Sequence, residues 1–333
     1  MKILIINQDE VARLLPMADC IEAMAGALEA LAREAAVNPL RYGMWLDDRS
    51  GVLALMPAQL VEKSLMGVKV IGIFPGNHGT EFDSHQGAVM IFETDHGRPL
   101  AILDASEITA RRTAAVSGVA TRQLARPDAQ RLAMLGSGVQ AGTHLEAMLL
   151  VREITQVTVW SRTPDHAAEF ARRQSEQHGI DIHVSETARE AVQDADIICT
   201  TTASPEPILL GEWLPAGVHI NAVGSSVPSM RELDTEAVVR ARLIVDRRES
   251  VCAEGGEFLC AREEGAIGDD HIVAELGELL LGEIVGRESD EQITLFKSLG
   301  LGVEDLAAAE LVYRRALEQQ LGTSVELGGS RAT

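Results

Sequence analysis

Apolar positions recur along this chain in two rhythms. Over the first third, short β-like runs dominate. A strand is expected at residues 3–6 and a helix at about 17–35, where Ile21, Met24, Leu28 and Leu31 recur every three or four positions and mark one apolar face. Runs at 51–56, Leu65–Ile73, 88–93 and Pro99–Asp104 are separated by turn signals such as Pro75-Gly76-Asn77 and Asp95-His96-Gly97, which predicts a mostly antiparallel meander. A helix then starts near Glu107 and runs past Thr121.

From Arg131 the rhythm becomes strand, glycine turn, helix, strand. Strands are expected at Arg131–Leu135, 157–160, 196–200, 218–223 and 241–245, with helices at 139–152, 165–177 and 186–193. Strands alternating with helices imply right-handed crossovers and a parallel sheet, so the fold class is α/β. A last helix, about 304–320, carries Leu306, Ala309, Leu311, Tyr313 and Leu317. It lies outside the alternating unit and is placed to pack back on the N-terminal part. The tail 322–333 is polar and is expected to be loose. A length of 333 residues suits about two domains.

Composition narrows the class. Hydrophobic residues make up 46% and aromatics only 3%, so the chain folds around an aliphatic core. The net charge of -21 repels phosphate backbones and anionic lipid, which argues against nucleic-acid or membrane partners. Small anionic ligands stay open, because a local cluster of Arg and Lys overrides the global sign. The cysteines Cys20, Cys199, Cys252 and Cys260 have neither C-x-x-C spacing nor a zinc-ligand pattern, so no metal site and no disulfide framework are expected. The apolar run at the N-terminus is too short for a signal peptide, and no stretch approaches the length of a membrane span. These features point to the cytoplasm.

Gly136-Ser137-Gly138-Val139-Gln140-Ala141 fits G-x-G-x-x-A directly after a strand and at the opening of a helix, the setting in which such a turn cradles a pyrophosphate. Gly136 allows the tight turn, Gly138 lets the backbone approach the anion, and Ala141 keeps helix and strand close. An NAD-preferring site would place a carboxylate at the end of the second strand. Here that region reads Trp160-Ser161-Arg162-Thr163. Arg162 can pair with a 2′-phosphate while the Ser161 and Thr163 hydroxyls donate to it, which favours NADP(H), with NAD(H) as the alternative.

In a chain this acidic, Arg41, Lys69 and Arg112 stand out. Lys69 interrupts the apolar run Gly67-Val68-Lys69-Val70-Ile71-Gly72, so it is snorkelling, salt-bridged or directed at a ligand. Together the three cations suit a carboxylate-bearing substrate, which a guanidinium grips bidentately. His85, in Ser84-His85-Gln86, adds a further polar group before a strand.

The segments Gly67-Val68-Lys69, Ser84-His85-Gln86, Ile108-Thr109-Ala110-Arg111-Arg112-Thr113-Ala114-Ala115, the glycine turn, Asn221-Ala222-Val223-Gly224-Ser225 and Phe296-Lys297-Ser298-Leu299-Gly300 together resemble the ornithine cyclodeaminase/mu-crystallin family over nearly the whole chain. The resemblance implies a Rossmann-type parallel-sheet domain at 119–303 and an α+β substrate-binding and dimerisation domain at 1–118 with 304–333, in a homodimer. It also implies that Arg41, Lys69 and Arg112 bind the substrate carboxylate, Lys69 and Arg112 with a catalytic part, and that His85 and Ser226 face the substrate. Thr113, Gly136, Ser137, Gly138, Val139, Gln140, Ser161, Arg162, Thr163, Thr200, Thr201, Thr202, Val223, Gly224 and Ser225 would line the cofactor, with Lys297 near its nicotinamide end.

One departure sets the subclass. Ornithine-cyclodeaminating members carry an Asp in a G-G-D-x-P-G-K stretch, whereas this chain reads Gly224-Ser225-Ser226-Val227-Pro228-Ser229-Met230. Ser226 cannot act as the carboxylate base of deamination. The stretch Arg231-Glu232-Leu233-Asp234 is similar to the mu-crystallin branch, with its NADPH-dependent ketimine and cyclic imine reductases. The expected activity is NAD(P)H-dependent reduction of an α-imino acid, a cyclic ketimine such as 1-pyrroline-2-carboxylate or 1-piperideine-2-carboxylate. The alternatives are an alanine-type amino-acid dehydrogenase, an iminosuccinate reductase, or an NADPH-linked small-ligand binding protein of mu-crystallin type.

Overall fold

A computed structural model describes residues 1–77 and 80–329 of the protein. The first elements are β1 (Lys2–Ile6), α1 (Gln8–Leu14), α2 (Met17–Ala32), β2 (Ala36–Val37), β3 (Tyr42–Trp45), β4 (Val52–Leu60), β5 (Leu65–Ile73), β6 (His85–Glu93), β7 (Pro99–Asp104) and α3 (Ala105–Leu124). The glycine turn lies between β8 (Arg131–Leu135) and α4 (Val139–Val151), followed by β9 (Gln156–Trp160), α5 (Pro164–His178), β10 (Ile182–Val184), α6 (Ala188–Val192), β11 (Ile197–Thr200) and β12 (His219–Ala222). The remainder is α7 (Thr235–Arg240), β13 (Arg242–Val245), α8 (Arg248–Glu254), α9 (Gly256–Glu263), β14 (Ile272–Glu275), α10 (Leu276–Leu280), β15 (Thr294–Lys297), α11 (Gly302–Gln319) and β16 (Thr323–Glu326). The chain divides into two compact units, Met1–Arg112 with the chain from Leu301 onward, and Thr113–Gly300.

The first unit is built on a mixed sheet in the order β16-β1-β7-β6-β5-β4-β2, with β3 also on β4. From β4 to β7 the strands form the antiparallel meander expected from the turn signals. Strict alternation buries Val52, Ala54, Met56 and Ala58 of β4 while Leu53 stays exposed. Helix α11 packs against α2, β4 and β5. Helix α2 ends at Ala32, short of the expected 35, because Glu34 takes a positive φ of 58° and the chain turns into β2. Helix α1 has a local cause that the periodicity did not reveal: Asn7 and Glu10 form a reciprocal capping box.

The tail requires a correction. Thr323–Glu326 is not loose but forms β16, antiparallel to β1 with Lys2 opposite Glu326. The strand covers what would otherwise be the open edge of the sheet at β1. Residues 330–333 of the expected loose tail lie outside the described residues.

The second unit is an all-parallel sheet in the order β10-β9-β8-β11-β12-β15-β13-β14. Helices cover both faces of such a sheet, so its strands are apolar throughout rather than alternating. Ile197, Ile198, Cys199 and Thr200 of β11 are all buried. Counted along the unit, the strand order begins 3-2-1-4-5. Its reversal between β8 and β11 is the switch point at which doubly wound sheets bind nucleotides.

Candidate active site

In the first unit, Lys69 points from β5 into a buried charge cluster. Its Nζ lies 2.9 Å from Asp305 Oδ2 and donates to Thr109 Oγ1 at 3.2 Å. Thr109 and Arg112 are three residues apart on α3 and share a helical face. Arg112 donates through Nε to Asp305 Oδ1 at 2.8 Å and through Nη1 to Glu304 Oε2 at 2.9 Å. Glu304 Oε2 also accepts the Leu301 N–H at 3.1 Å. Two cations thus face two carboxylates, all buried. Burial lowers the Lys69 ammonium pKa to about 8, with the charge of Arg112 acting in the same direction and Asp305 opposing it.

Of the three readings of Lys69, the salt-bridged one is therefore observed. Arg112 is not a solvent-accessible charge: it is 4% exposed, and its partners come from the first turn of α11. Arg111, its neighbour, pairs instead with Glu107 at 2.7 Å along the helix. Arg41 is half-buried just before β3. His85 is exposed at the start of β6, with Nδ1 3.0 Å from Ser84 Oγ and its carbonyl accepting the Ser106 hydroxyl at 2.8 Å.

In the second unit the glycine turn has the shape the pattern demands. Gly136 has a φ of 122°, and a Cβ there would meet Thr201 Oγ1 at 2.7 Å. Gly138 caps α4 without any side-chain hydrogen bond, and a Cβ on it would have nothing within 4 Å, so the helix N-terminus opens onto free space. Ala141 is fully buried, Ser137 and Gln140 are half-buried, and Val139 is exposed. Ser161 is half-buried at the end of β9, and Arg162 and Thr163 are exposed. Among the described residues Arg162 makes no ion pair. An uncapped helix N-terminus, a glycine cradle and an unengaged guanidinium fit a dinucleotide phosphate.

The residues at the other strand ends are already engaged. Thr200, Thr202 and Gly224 all donate to the buried carboxylate of Glu232. The Ser225 hydroxyl donates to the Met230 carbonyl. Lys297 is buried, 3.0 Å from Glu257 Oε2, and donates to the Ser225 carbonyl at 2.5 Å. Thr113 and Val223 are buried, and Thr201 and Ser226 are half-buried.

Four carboxylates were not among the site residues expected from the sequence. Glu304 and Asp305 look like ordinary acidic residues in a first helical turn, yet they neighbour Val303 and Leu306 on a helix with a buried face. Two buried cations without acidic neighbours in sequence were the available signal. Glu232 and Glu257 carried no comparable signal.

The model of the ornithine cyclodeaminase/mu-crystallin family matches residues 1–320. The chain belongs to this family. It is 39% identical over 324 residues to a Delta(1)-pyrroline-2-carboxylate reductase of Bacillus cereus, covering 97% of this chain and 99% of the relative. It is 42% identical over 277 residues to the ketimine reductase mu-crystallin of Mus musculus, covering 83% of this chain and 84% of the relative. Among solved structures, the Thermococcus litoralis Delta(1)-pyrroline-2-carboxylate reductase in complex with NADH and L-proline superposes with a TM-score of 0.95 at 38% identity, covering 97% of this chain and all of that one. Full-length similarity extends at lower identity to the alanine dehydrogenase of Archaeoglobus fulgidus, 35% identical over 326 residues and covering 98% of this chain and 99% of the relative.

Proposed function

We propose that this protein is an NAD(P)H-dependent reductase of cyclic α-imino acids, with 1-pyrroline-2-carboxylate as the leading substrate and 1-piperideine-2-carboxylate as its six-membered counterpart. The observation that carries this reading is the full-length similarity to a reductase solved with NADH and L-proline, since L-proline is the reduction product of 1-pyrroline-2-carboxylate. Arg162, exposed and without an ion pair, supports a preference for NADP(H) over NAD(H).

Arg41, Lys69 and Arg112 would hold the substrate carboxylate. Glu304 and Asp305 already balance the charge of the two buried cations, so a net-neutral ligand suits this cluster better than an anion. The protonated imine carboxylate is net neutral, and its iminium carbon is already electrophilic. When bound, with its pyrophosphate at the glycine turn, the reduced cofactor would supply the hydride for that carbon. Lys69 and Arg112, fixed by Asp305, contribute orientation and charge placement rather than a separate acid. With Ser226 at the position of the family's Asp, ornithine cyclodeamination falls outside this reading.

A homodimer is part of the proposal. Met44 and Leu53 are paired across β3 and β4, and both are exposed, as are Tyr42 and Met66 on the same face of the sheet. A second copy covering this apolar surface is the expected occupant, tested by the molar mass in solution. Among the described residues no helix is long and apolar enough to cross a membrane. Among the described residues the cysteines form no disulfide, and the cytoplasm is the proposed site of action.

The test of function is a panel of five- and six-membered cyclic imines with NADPH and with NADH. Saturable cofactor oxidation on these imines is expected. Oxidation only with pyruvate plus ammonia would instead identify an amino-acid dehydrogenase.

A further inference from the structure

Glu232 lies buried beyond the ends of β11 and β12, with its carboxylate covered on both oxygens. Oε1 accepts the Thr202 N–H at 2.6 Å and the Thr202 hydroxyl at 2.7 Å. Oε2 accepts the Thr200 hydroxyl at 2.7 Å and the Gly224 N–H at 2.7 Å. Thr200 ends β11, and Gly224 follows β12, so one side chain ties together the turns after two adjacent parallel strands. The approach is close: a Cβ at Gly224 would collide with the Thr202 backbone and Glu232.

A second carboxylate extends the cluster. The Glu232 N–H donates to Glu257 Oε1 at 3.0 Å, and Glu257 Oε2 faces the Lys297 ammonium at 3.0 Å. Lys297 in turn holds the Ser225 carbonyl, one residue past Gly224. Burial raises the Glu232 pKa, and so does the charge of Glu257, while the hydrogen bonds from Thr200 and Thr202 lower it. Each oxygen receives a backbone N–H, which can only donate. The net direction is upward, yet two of the four groups around the carboxylate are fixed donors, one on each oxygen.

The place of this cluster in the sheet gives it a role. A doubly wound sheet binds the two halves of a dinucleotide on either side of its switch point. Here the β9 side carries Ser161 and Arg162, which suit the adenosine ribose and its phosphate. The other half of the cofactor then falls to the turns after β11 and β12. We propose that Glu232 is a positioning residue for the nicotinamide half of the cofactor: it locks these two turns in their binding shape before the dinucleotide arrives. With its oxygens saturated by donors, Glu232 does not act on substrate. The inference rests on the reading of this unit as the NAD(P)H site.

Glu232→Gln tests it, because a Gln amide turns an –NH2 donor toward groups that are themselves donors. Dissociation constants are measured for NADPH and NADH and for their adenosine-half fragments, 2′,5′-ADP and ADP. Both dinucleotides are expected to bind about 10- to 100-fold more weakly, while both fragments stay within about twofold of wild type. Equal weakening of dinucleotides and fragments would reduce Glu232 to general packing and overturn the inference, as would unchanged dinucleotide binding. If Glu232→Gln does not fold, Thr200→Val removes one of the four donors without changing shape. A dinucleotide-only loss of about three- to tenfold is then expected, and an unchanged affinity overturns the proposal. Wild-type protein that binds none of the four probes would overturn the cofactor reading itself, an outcome distinct from a failure in the variants alone.

Discussion

Arg112 on α3 and Asp305 on α11 are joined by a buried Nε–Oδ1 hydrogen bond of 2.8 Å, and the other oxygen of Asp305 faces Lys69 at 2.9 Å. One carboxylate thereby fixes both cations proposed to receive the substrate. Asp305→Ala would remove the carboxylate that the buried Lys69 and Arg112 share. Removing one partner from a buried ion pair costs about 3–5 kcal/mol. Denaturant unfolding should show a loss of that order, with Asp305→Asn losing less; an Asp305→Ala protein as stable as wild type would show that the cluster does not hold the fold.

Arg112 is expected to affect activity and stability together. If its guanidinium receives the substrate carboxylate, Arg112→Lys already impairs turnover, because an ammonium cannot reproduce the planar fork. Arg112→Ala should lower kcat/KM by roughly 30- to 1,000-fold, or about 2–4 kcal/mol. Its burial against Glu304 and Asp305 also ties it into the fold, so the melting temperature should fall as well. Kinetics and melting on the same variant separate the two effects. Normal specific activity in the folded fraction would assign Arg112 to the scaffold alone.

Much of this architecture was legible because local signals agreed with the tertiary result. The strands Leu65–Ile73 and Pro99–Asp104 match their apolar runs residue for residue, and the glycine turn sits where its spacing requires. The region between β13 and α11 was not legible. Its helices have five to eight residues, and its two strands have four each, too short to establish a period. The charge cluster was half legible. Lys69 and Arg112 stood out against apolar surroundings, whereas Glu304 and Asp305 lie more than 190 positions from Arg112, and no local pattern links them to it.

The Lys69 pKa, lowered to about 8, predicts the alkaline limb of activity. As pH rises through that value the ammonium loses its proton, and the substrate carboxylate loses a cation. The substrate KM should therefore rise above about pH 8. Asp305 holds the proton on, so in Asp305→Asn the limb should move to lower pH. A limb unmoved by that substitution would remove Lys69 as its origin.

Arg162 should set cofactor choice. A charge-assisted hydrogen bond to a 2′-phosphate contributes about 1.5–3 kcal/mol. Arg162→Ala is thus expected to weaken NADPH by about 10- to 100-fold and NADH very little. Equal losses for both cofactors would sink the 2′-phosphate assignment.

The central claim, reduction of a preformed cyclic imine, is tested most directly by incubating the enzyme with 1-pyrroline-2-carboxylate and NADPH and quantifying proline against NADPH consumed. The account predicts one proline formed per NADPH oxidised, with no requirement for added ammonia. NADPH oxidation that yields no proline, or that proceeds only with ammonia and an open-chain 2-oxo acid, would contradict it.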